Sequence, residues 1–356
     1  MPIDYQTKLA ELMILAAQQG ASDLHLSVGK HPTVRIDGNL VPISNESILT
    51  PEMTAGLIGA LLTPEQQENL ITEKEIDFAF SYEDKIRFRV NVYFQKGYLS
   101  AALRLIPVHI RTIEELDLPQ GLHKFTNYQQ GFFLAVGPAG HGKTTTLAAL
   151  VDEINHKRMK HIITIEDPIE YTFTQDRALI DQREVGQDTL SFHHGLRSVL
   201  RQDPDVIMIG EMRDPESISI ALTAAETGHL VFSTLHTNSG SQTIDRIVDS
   251  FPGEQQGQIR SQLATTLIGI VSERLIPRIA GGRVPACEIM FVNSAIKNLI
   301  REKKTYQIDL VIETSVQEGM MSLNRSLVDL VRKREISLES AETYSLNPSE
   351  LRQLLG

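Results

Sequence analysis

A single cysteine, Cys287, stands among 356 residues, so no intramolecular disulfide can form and no thiolate cluster can hold a zinc ion. That usage fits a reducing cytosol, and the thiol reads as one small residue packed in a core. Long apolar runs are also missing. Phe132–Val136 and Val206–Ile209 fall far short of the roughly 18 residues a membrane helix needs, so any membrane role must come through partners. The stretch from Leu9 to Ala17 is interrupted by Glu11 and lacks a basic leader and a small-residue cleavage site, which argues against a signal peptide. Positive charge is in deficit: 34 Lys and Arg against 45 Asp and Glu give a net charge of −11, which repels a phosphate backbone and disfavours generic nucleic-acid binding. The 11 histidines show no metal-ligand spacing; His193 and His194 are adjacent and diverge on any regular element, and no H-E-x-x-H occurs.

What is present suggests two domains, and 41% hydrophobic content is ample for ordinary cores. Leu9, Leu12, Met13 and Ala16 recur at helical spacing, with Gly20 as the stop. Asp37-Gly38 between Thr33–Ile36 and Leu40–Ile43 predicts a tight hairpin. Ile86, Phe88, Val90, Val92 and Phe94 alternate with Arg87, Arg89, Asn91 and Tyr93, a half-buried strand with two arginines on its open face. Leu99, Ala101, Leu103 and Leu105 repeat the pattern with Arg104 opposite. Residues 1–106 therefore read as a small α+β domain, and 107–130, with two prolines and Gly121, as an interdomain linker region. From Gly131 to residue 356 the pattern becomes α/β: Phe132–Val136, Ile162–Ile165, Val206–Ile209 and Leu230–Ser233 are short apolar runs that predict strands buried on both faces. The last 80 residues, with Ala295–Arg301 and Leu323–Val331 at helical spacing, read as a helical appendage.

Gly137-Pro138-Ala139-Gly140-His141-Gly142-Lys143-Thr144 matches G-x-x-x-x-G-K-[ST] between an apolar strand and the helical run Thr145–Ile154, the context this phosphate loop requires. Its glycines let backbone N–H groups face phosphate at a helix N-terminus. Lys143 is expected to reach the β- and γ-phosphates and the Thr144 hydroxyl to ligate Mg²⁺. Two later strands run into carboxylates, at Glu166-Asp167-Pro168-Ile169-Glu170 and at Gly210-Glu211-Met212-Arg213-Asp214, where ligands of open α/β sheets bind. A further strand, Leu230–Ser233, has His229 at its start and His236 after it. His229 either contacts the γ-phosphate or a neighbouring carboxylate, or is simply packed.

These segments, with Ala224-Ala225-Glu226-Thr227-Gly228-His229, resemble the Walker A, aspartate, Walker B and histidine boxes of the secretion ATPases, in that family's order and roughly its spacing. Ala21-Ser22-Asp23-Leu24-His25-Leu26 looks like the family's opening motif, so the resemblance covers nearly the whole chain. It implies a RecA-like P-loop ATPase core with an N-terminal PAS-like α+β domain, a C-terminal helical appendage and a homohexameric ring. By match, Gly137 through Lys143, Thr144 and Thr145 bind ATP, Glu211 activates water, Glu166 is a second acid near Mg²⁺, and Arg89 and Arg104 neutralise phosphate charge. Arg87 shares the face of Arg89 and could take its role.

Ala295-Ile296-Lys297-Asn298-Leu299-Ile300-Arg301-Glu302 resembles a helix characteristic of retraction ATPases, with Lys297 where arginine is usual. The lone cysteine rules out the four-cysteine zinc site of the extension and type II secretion motors. His141 is a second departure, since serine is commoner there. The expectation is a cytoplasmic ATP-hydrolysing motor, peripheral at the inner membrane through a pilus platform protein and the pilus machinery, that depolymerises type IV pili for twitching motility. A nucleic-acid translocase and a weakly active accessory paralogue are the alternatives.

Overall fold

Helix α1 (Tyr5–Gln18) begins at Asp4, whose carboxylate caps the Gln6 and Thr7 amides, and buries Leu9, Leu12, Met13 and Ala16. The structure, a computed structural model, describes residues 4–36, 38–82, 86–106, 109–212 and 214–356. Asp37 of the hairpin turn, Pro107 at the expected domain boundary and Arg213 of the second acidic segment lie outside the described residues. The chain divides into two units: residues up to His109 together with Pro168–Thr172, and Ile110–Asp167 together with Phe173–Gly356.

In the first unit, β1 (Asp23–Ser27), β2 (Thr33–Ile36), β3 (Asn39–Pro42), β4 (Glu75–Tyr82), β5 (Ile86–Gln95) and β6 (Tyr98–Ile106) form an antiparallel sheet ordered β3-β2-β1-β6-β5-β4. Phe88, Val90 and Val92 of β5 are fully buried while Arg87, Arg89 and Asn91 are partly exposed, the alternation a one-sided sheet imposes. Helices α2 (Pro51–Gly59) and α3 (Pro64–Glu73) start alike, each with proline in the first turn and a threonine hydroxyl capping it. Leu57, Ile58 and Leu70 bury into the same core.

The second unit opens with Ile113, Leu118 and Leu122 buried ahead of α4 (His123–Thr126). The region expected to be a linker belongs from Ile110 onward to this unit, with Ile110, Ile113, Leu118, Leu122, Phe125 and Thr126 buried among exposed residues. Its apolar residues are spaced irregularly among polar ones, which hides their burial from periodicity. A seven-stranded sheet follows, ordered β13-β12-β7-β11-β10-β8-β9. Its strands are β7 (Gly131–Val136), β8 (His161–Glu166), β9 (Leu179–Glu184), β10 (Val206–Ile209), β11 (Leu230–Leu235), β12 (Leu267–Pro277) and β13 (Arg283–Phe291). All neighbours are parallel except β12 and β13. Every residue of β7, β10 and β11 is buried, because helices cover such a sheet on both faces.

Those helices are α5 (Lys143–Lys157), α6 (Phe192–Val199), α7 (Pro215–Glu226), α8 (Gly240–Asp249) and α9 (Gly253–Thr266). The Phe133 ring lies 4.4 Å from Phe125 and 5.5 Å from Phe232, and Phe125 stacks on Phe291 at 4.7 Å, tying α4, β7, β11 and β13 together. The helical appendage begins later than expected. Arg283–Phe291 falls within the last 80 residues yet forms the edge strand β13, whose Val284, Ala286, Cys287, Ile289 and Met290 are buried. Only then come α10 (Ser294–Arg301), α11 (Ile308–Thr314), α12 (Leu323–Arg332), α13 (Leu338–Tyr344) and α14 (Pro348–Leu355).

Candidate functional site

The phosphate loop leaves β7 at Val136 and enters α5 at Lys143, anchored from below by Leu147, Leu150, Val151 and Ile154, all fully buried. Two glycines are obligatory for different reasons. Gly137 has φ 150° and a Cβ there would strike the carbonyl oxygen of Glu273 on β12; Gly142 has φ 96° and a Cβ there would strike the Glu273 carboxylate. Gly140, at φ 75°, meets nothing and is required by conformation alone. Lys143 is buried, and its ammonium donates to the Pro138 carbonyl at 2.8 Å and lies 3.3 Å from His236 Nδ1. Thr144 follows in the first turn of α5, and Thr145 lines a cavity beside the loop.

Glu166 ends β8 and Glu211 follows β10, the neighbouring strand. Gly210 N–H donates to the Ile165 carbonyl at 2.9 Å, which holds the two strand ends together. Glu166 is buried and accepts from the Thr164 hydroxyl at 2.7 Å and from Gln182 Nε2 at 3.3 Å. Glu211 Oε1 lies 3.2 Å from His236 Nε2. An ammonium only donates, so His236 Nδ1 accepts from Lys143 and the ring proton sits on Nε2, facing Glu211. Lysine, imidazole and carboxylate form a chain across the ends of β7, β11 and β10. Asp214, in the same acidic segment, serves α7 instead, capping the Ser217 amide at 2.8 Å.

His236 was not singled out for a role in the sequence, although it directly follows β11 at the end where ligands bind. His229 was, and the structure places it at the opposite end. Its carbonyl accepts from Gly131 N–H at the start of β7, and its Nδ1 donates to the Ala224 carbonyl at 2.8 Å. Six residues of strand separate the two histidines, about 20 Å. His229 therefore pins the last turn of α7 and, within one chain, does not reach the phosphate loop.

Arg89 and Arg104 face each other across β5 and β6 of the first unit. Each is held by an acid of its own sheet: Arg89 Nη2 lies 2.7 Å from Asp77, and Arg104 Nε 3.0 Å from Asp23. Arg104 remains 71% exposed, so its pair contributes little to stability. Of the aspartate segment, Glu166 and Asp167 stay with the second unit and Pro168–Thr172 with the first. His141 does more than lend its backbone. Its Nδ1 accepts from Leu275 N–H of β12 at 2.9 Å, and burial, then Arg274, Arg283 and Lys143, hold the ring below the usual imidazole range.

A mixed sheet, parallel but for β13, with a glycine turn, lysine and two carboxylates at its carboxyl edge has the secretion ATPase fold. Residues 6–343 match the type II/IV secretion system protein family, and the chain belongs to it. It is 46% identical over 340 residues to the type IV pilus retraction ATPase PilT of Pseudomonas aeruginosa, covering 96% of this chain and 98% of that protein. It is 42% identical to a twitching motility protein of Neisseria gonorrhoeae, over 90% of this chain and 86% of the relative. Among solved structures, the pilus retraction motor PilT with bound ADP superposes with a TM-score of 0.90 at 45% identity, covering 96% of this chain and 98% of that one. The ATPase DotB of Legionella pneumophila does so at 0.80 and 26%, over 95% of each chain.

Proposed function

We propose that this chain is an ATP-hydrolysing motor that works as a homohexamer and powers retraction of type IV pili, and so twitching motility. The observation that carries the reading is the convergence of Lys143, His236 and Glu211 at the mouth of the phosphate loop. Similarity to a pilus retraction ATPase along nearly the full length of both chains supports the cellular role.

In this reading the loop from Gly137 to Thr145 cradles the phosphates with backbone N–H groups, and Lys143 moves from the Pro138 carbonyl to the β- and γ-oxygens. The residues present fit Mg²⁺: Thr144 would offer a hydroxyl at a helix N-terminus, and Glu166 and Glu211 follow adjacent strands at the carboxyl edge of the sheet. Magnesium is commonly held by few protein ligands plus phosphate and water, and supplies charge neutralisation at the phosphates. Glu211 orients the attacking water. His236 fixes the Glu211 carboxylate and senses the Lys143 ammonium, while Glu166, buried and doubly hydrogen-bonded, would serve as a second acid for the metal site. Arg89 and Arg104 neutralise phosphate charge in the assembled ring, exchanging Asp77 and Asp23 for phosphate oxygens. The first unit corresponds to the PAS-like domain and the second to the RecA-like domain with its helical appendage. The motor acts at the cytoplasmic face of the inner membrane through a pilus platform protein.

Steady-state ATP hydrolysis by the wild type, Lys143→Ala and Glu211→Gln, with particle mass measured beside each, tests the chemistry. The wild type is expected to hydrolyse ATP as a hexamer, Lys143→Ala to lose nucleotide binding, and Glu211→Gln to bind but turn over about 100-fold more slowly. A folded wild type that neither binds nor consumes ATP with magnesium overturns the reading. A deletion strain whose pili accumulate while surface movement stops supports retraction; loss of pili altogether points to assembly.

A further inference from the structure

Strand β12 meets the phosphate loop at three points and α5 at a fourth. The Glu273 carbonyl oxygen occupies the space a Cβ of Gly137 would need, and its Oε1 the space a Cβ of Gly142 would need. Oε2 of the same carboxyl accepts the Thr146 hydroxyl at 2.6 Å, one turn into α5. Two residues on, Leu275 N–H donates to His141 Nδ1 at 2.9 Å. Glu273 is buried and also lines, with Gly142, Thr145, Thr146, Arg111 and Arg283, a cavity of about 240 Å³ beside the loop.

An acid buried against a loop whose amides face phosphate works against anion binding when ionised, and not when neutral. We propose that Glu273 is a positioning residue for the phosphate loop: its carboxyl holds the glycine turn to the first turns of α5, and its proton state sets how tightly the loop holds a nucleotide. The proposal rests on the reading of this loop as a nucleotide site. In the neutral form the carboxyl keeps its bond to Thr146 and adds no charge. In the ionised form it competes with phosphate for the Lys143 ammonium and repels the incoming anion across Gly142.

The charged and titratable groups that face Glu273 allow this switch near neutral pH. From α5 come Lys143 and the Thr146 hydroxyl, from the opposite position of β13 Cys287, and from the cavity wall Arg111 and Arg283, while His141 of the loop meets the same strand two residues on, at Leu275. Burial outweighs the opposing pull of Thr146 and Lys143 and pushes the Glu273 carboxyl up to about 7. The Cys287 thiol, fully buried beside it, is pushed well above its usual range and stays neutral. His141 is held below the usual imidazole range by burial and by Arg274, Arg283 and Lys143. Glu273, raised to about 7, changes charge between pH 6 and 8.

Binding of ADP in EDTA to the full-length protein, measured by calorimetry at pH 6, 7 and 8, tests this for the wild type and Glu273→Gln. The nucleotide's own titration is common to both proteins and cancels in their ratio. Glu273→Gln, a permanent mimic of the neutral form, is expected to bind up to about tenfold tighter than the wild type at pH 8 and within about twofold at pH 6. Glu273→Ala removes the brace and is expected to bind more weakly at every pH, raising KM for ATP far more than it lowers kcat. Thr146→Val, which keeps the acid and its packing, moves the midpoint of the wild-type pH dependence upward. A constant ratio between wild type and Glu273→Gln across the three pH values, or an unshifted midpoint in Thr146→Val, overturns the proposal. A wild type that binds no ADP at any pH overturns the nucleotide reading itself, a distinct result.

Discussion

The two sheets of this protein place their chemistry in different positions. On β5 of the antiparallel sheet, buried Phe88, Val90 and Val92 alternate with Arg87, Arg89 and Asn91, so polar groups occupy a face. On β7, β10 and β11 of the other sheet every side chain is buried and none is charged, so charged groups are confined to the strand ends. A covered sheet leaves only its edges for chemistry, so Lys143, Glu211 and His236 gather at one carboxyl edge. Charges on an open face, such as Arg89 and Arg104, are instead partly solvated and paired with neighbouring acids, the arrangement from which the proposed exchange for phosphate would start.

That contrast can be tested from its strongest consequence to its weakest. Phe133→Ala, which empties the contact between Phe125 and Phe232, should cost about 3–5 kcal/mol in denaturant unfolding, and a cost near zero would mean the covered sheet is not close-packed. Burial pushes both Glu273 and Glu288 up to about 7 in the folded state. A carboxyl whose folded value exceeds its unfolded one stabilises fully below the unfolded value, and loses that contribution as pH rises through the folded one. Wild-type stability should therefore fall between about pH 4.5 and 7, by up to about 3 kcal/mol per acid. In Glu273→Gln, Glu288→Gln the thermal midpoint should vary much less between pH 5 and 8; an identical slope in both proteins would refute the assignment.

Next, His236→Ala should lower ATP hydrolysis about tenfold or more, the range of a general acid–base or orienting contact, while His229→Ala leaves hydrolysis within about twofold. The reverse result would show that the amino edge of the sheet is functional. Last, Asp77→Ala should change stability by less than about 1 kcal/mol, because the Arg89 pair is 39% and 40% exposed. A larger loss would make the open face structural and remove Arg89 from the exchangeable set.

The phosphate loop, the strands leading to Glu166 and Glu211, and the alternation of β5 were legible because each is local: a glycine spacing, a short apolar run, a period of two. The hairpin strands β2 and β3 and helices α10 and α12 were legible for the same reason. His236 and His229 bracket one strand, and the letters alone do not rank them; the rule that ligands bind at the carboxyl edge favours His236, and the parallel register of β11 with β7 settles which end meets the loop. Burial along 110–126 and the edge strand β13 escaped detection, since each depends on a neighbour distant in sequence.

Sequence by itself determined that the chain can make a phosphate loop flanked by acidic strand ends, because backbone conformation and strand burial are dictated by residues a few positions apart. Only the tertiary structure decided which groups meet that loop. Glu273 lies 130 residues beyond Lys143 in an unremarked stretch, and it reaches Gly137, Gly142 and Thr146 because β12 pairs in parallel with β7. Strand order in a sheet is a long-range packing outcome, and it gave this acid its neighbours and its place beside the site.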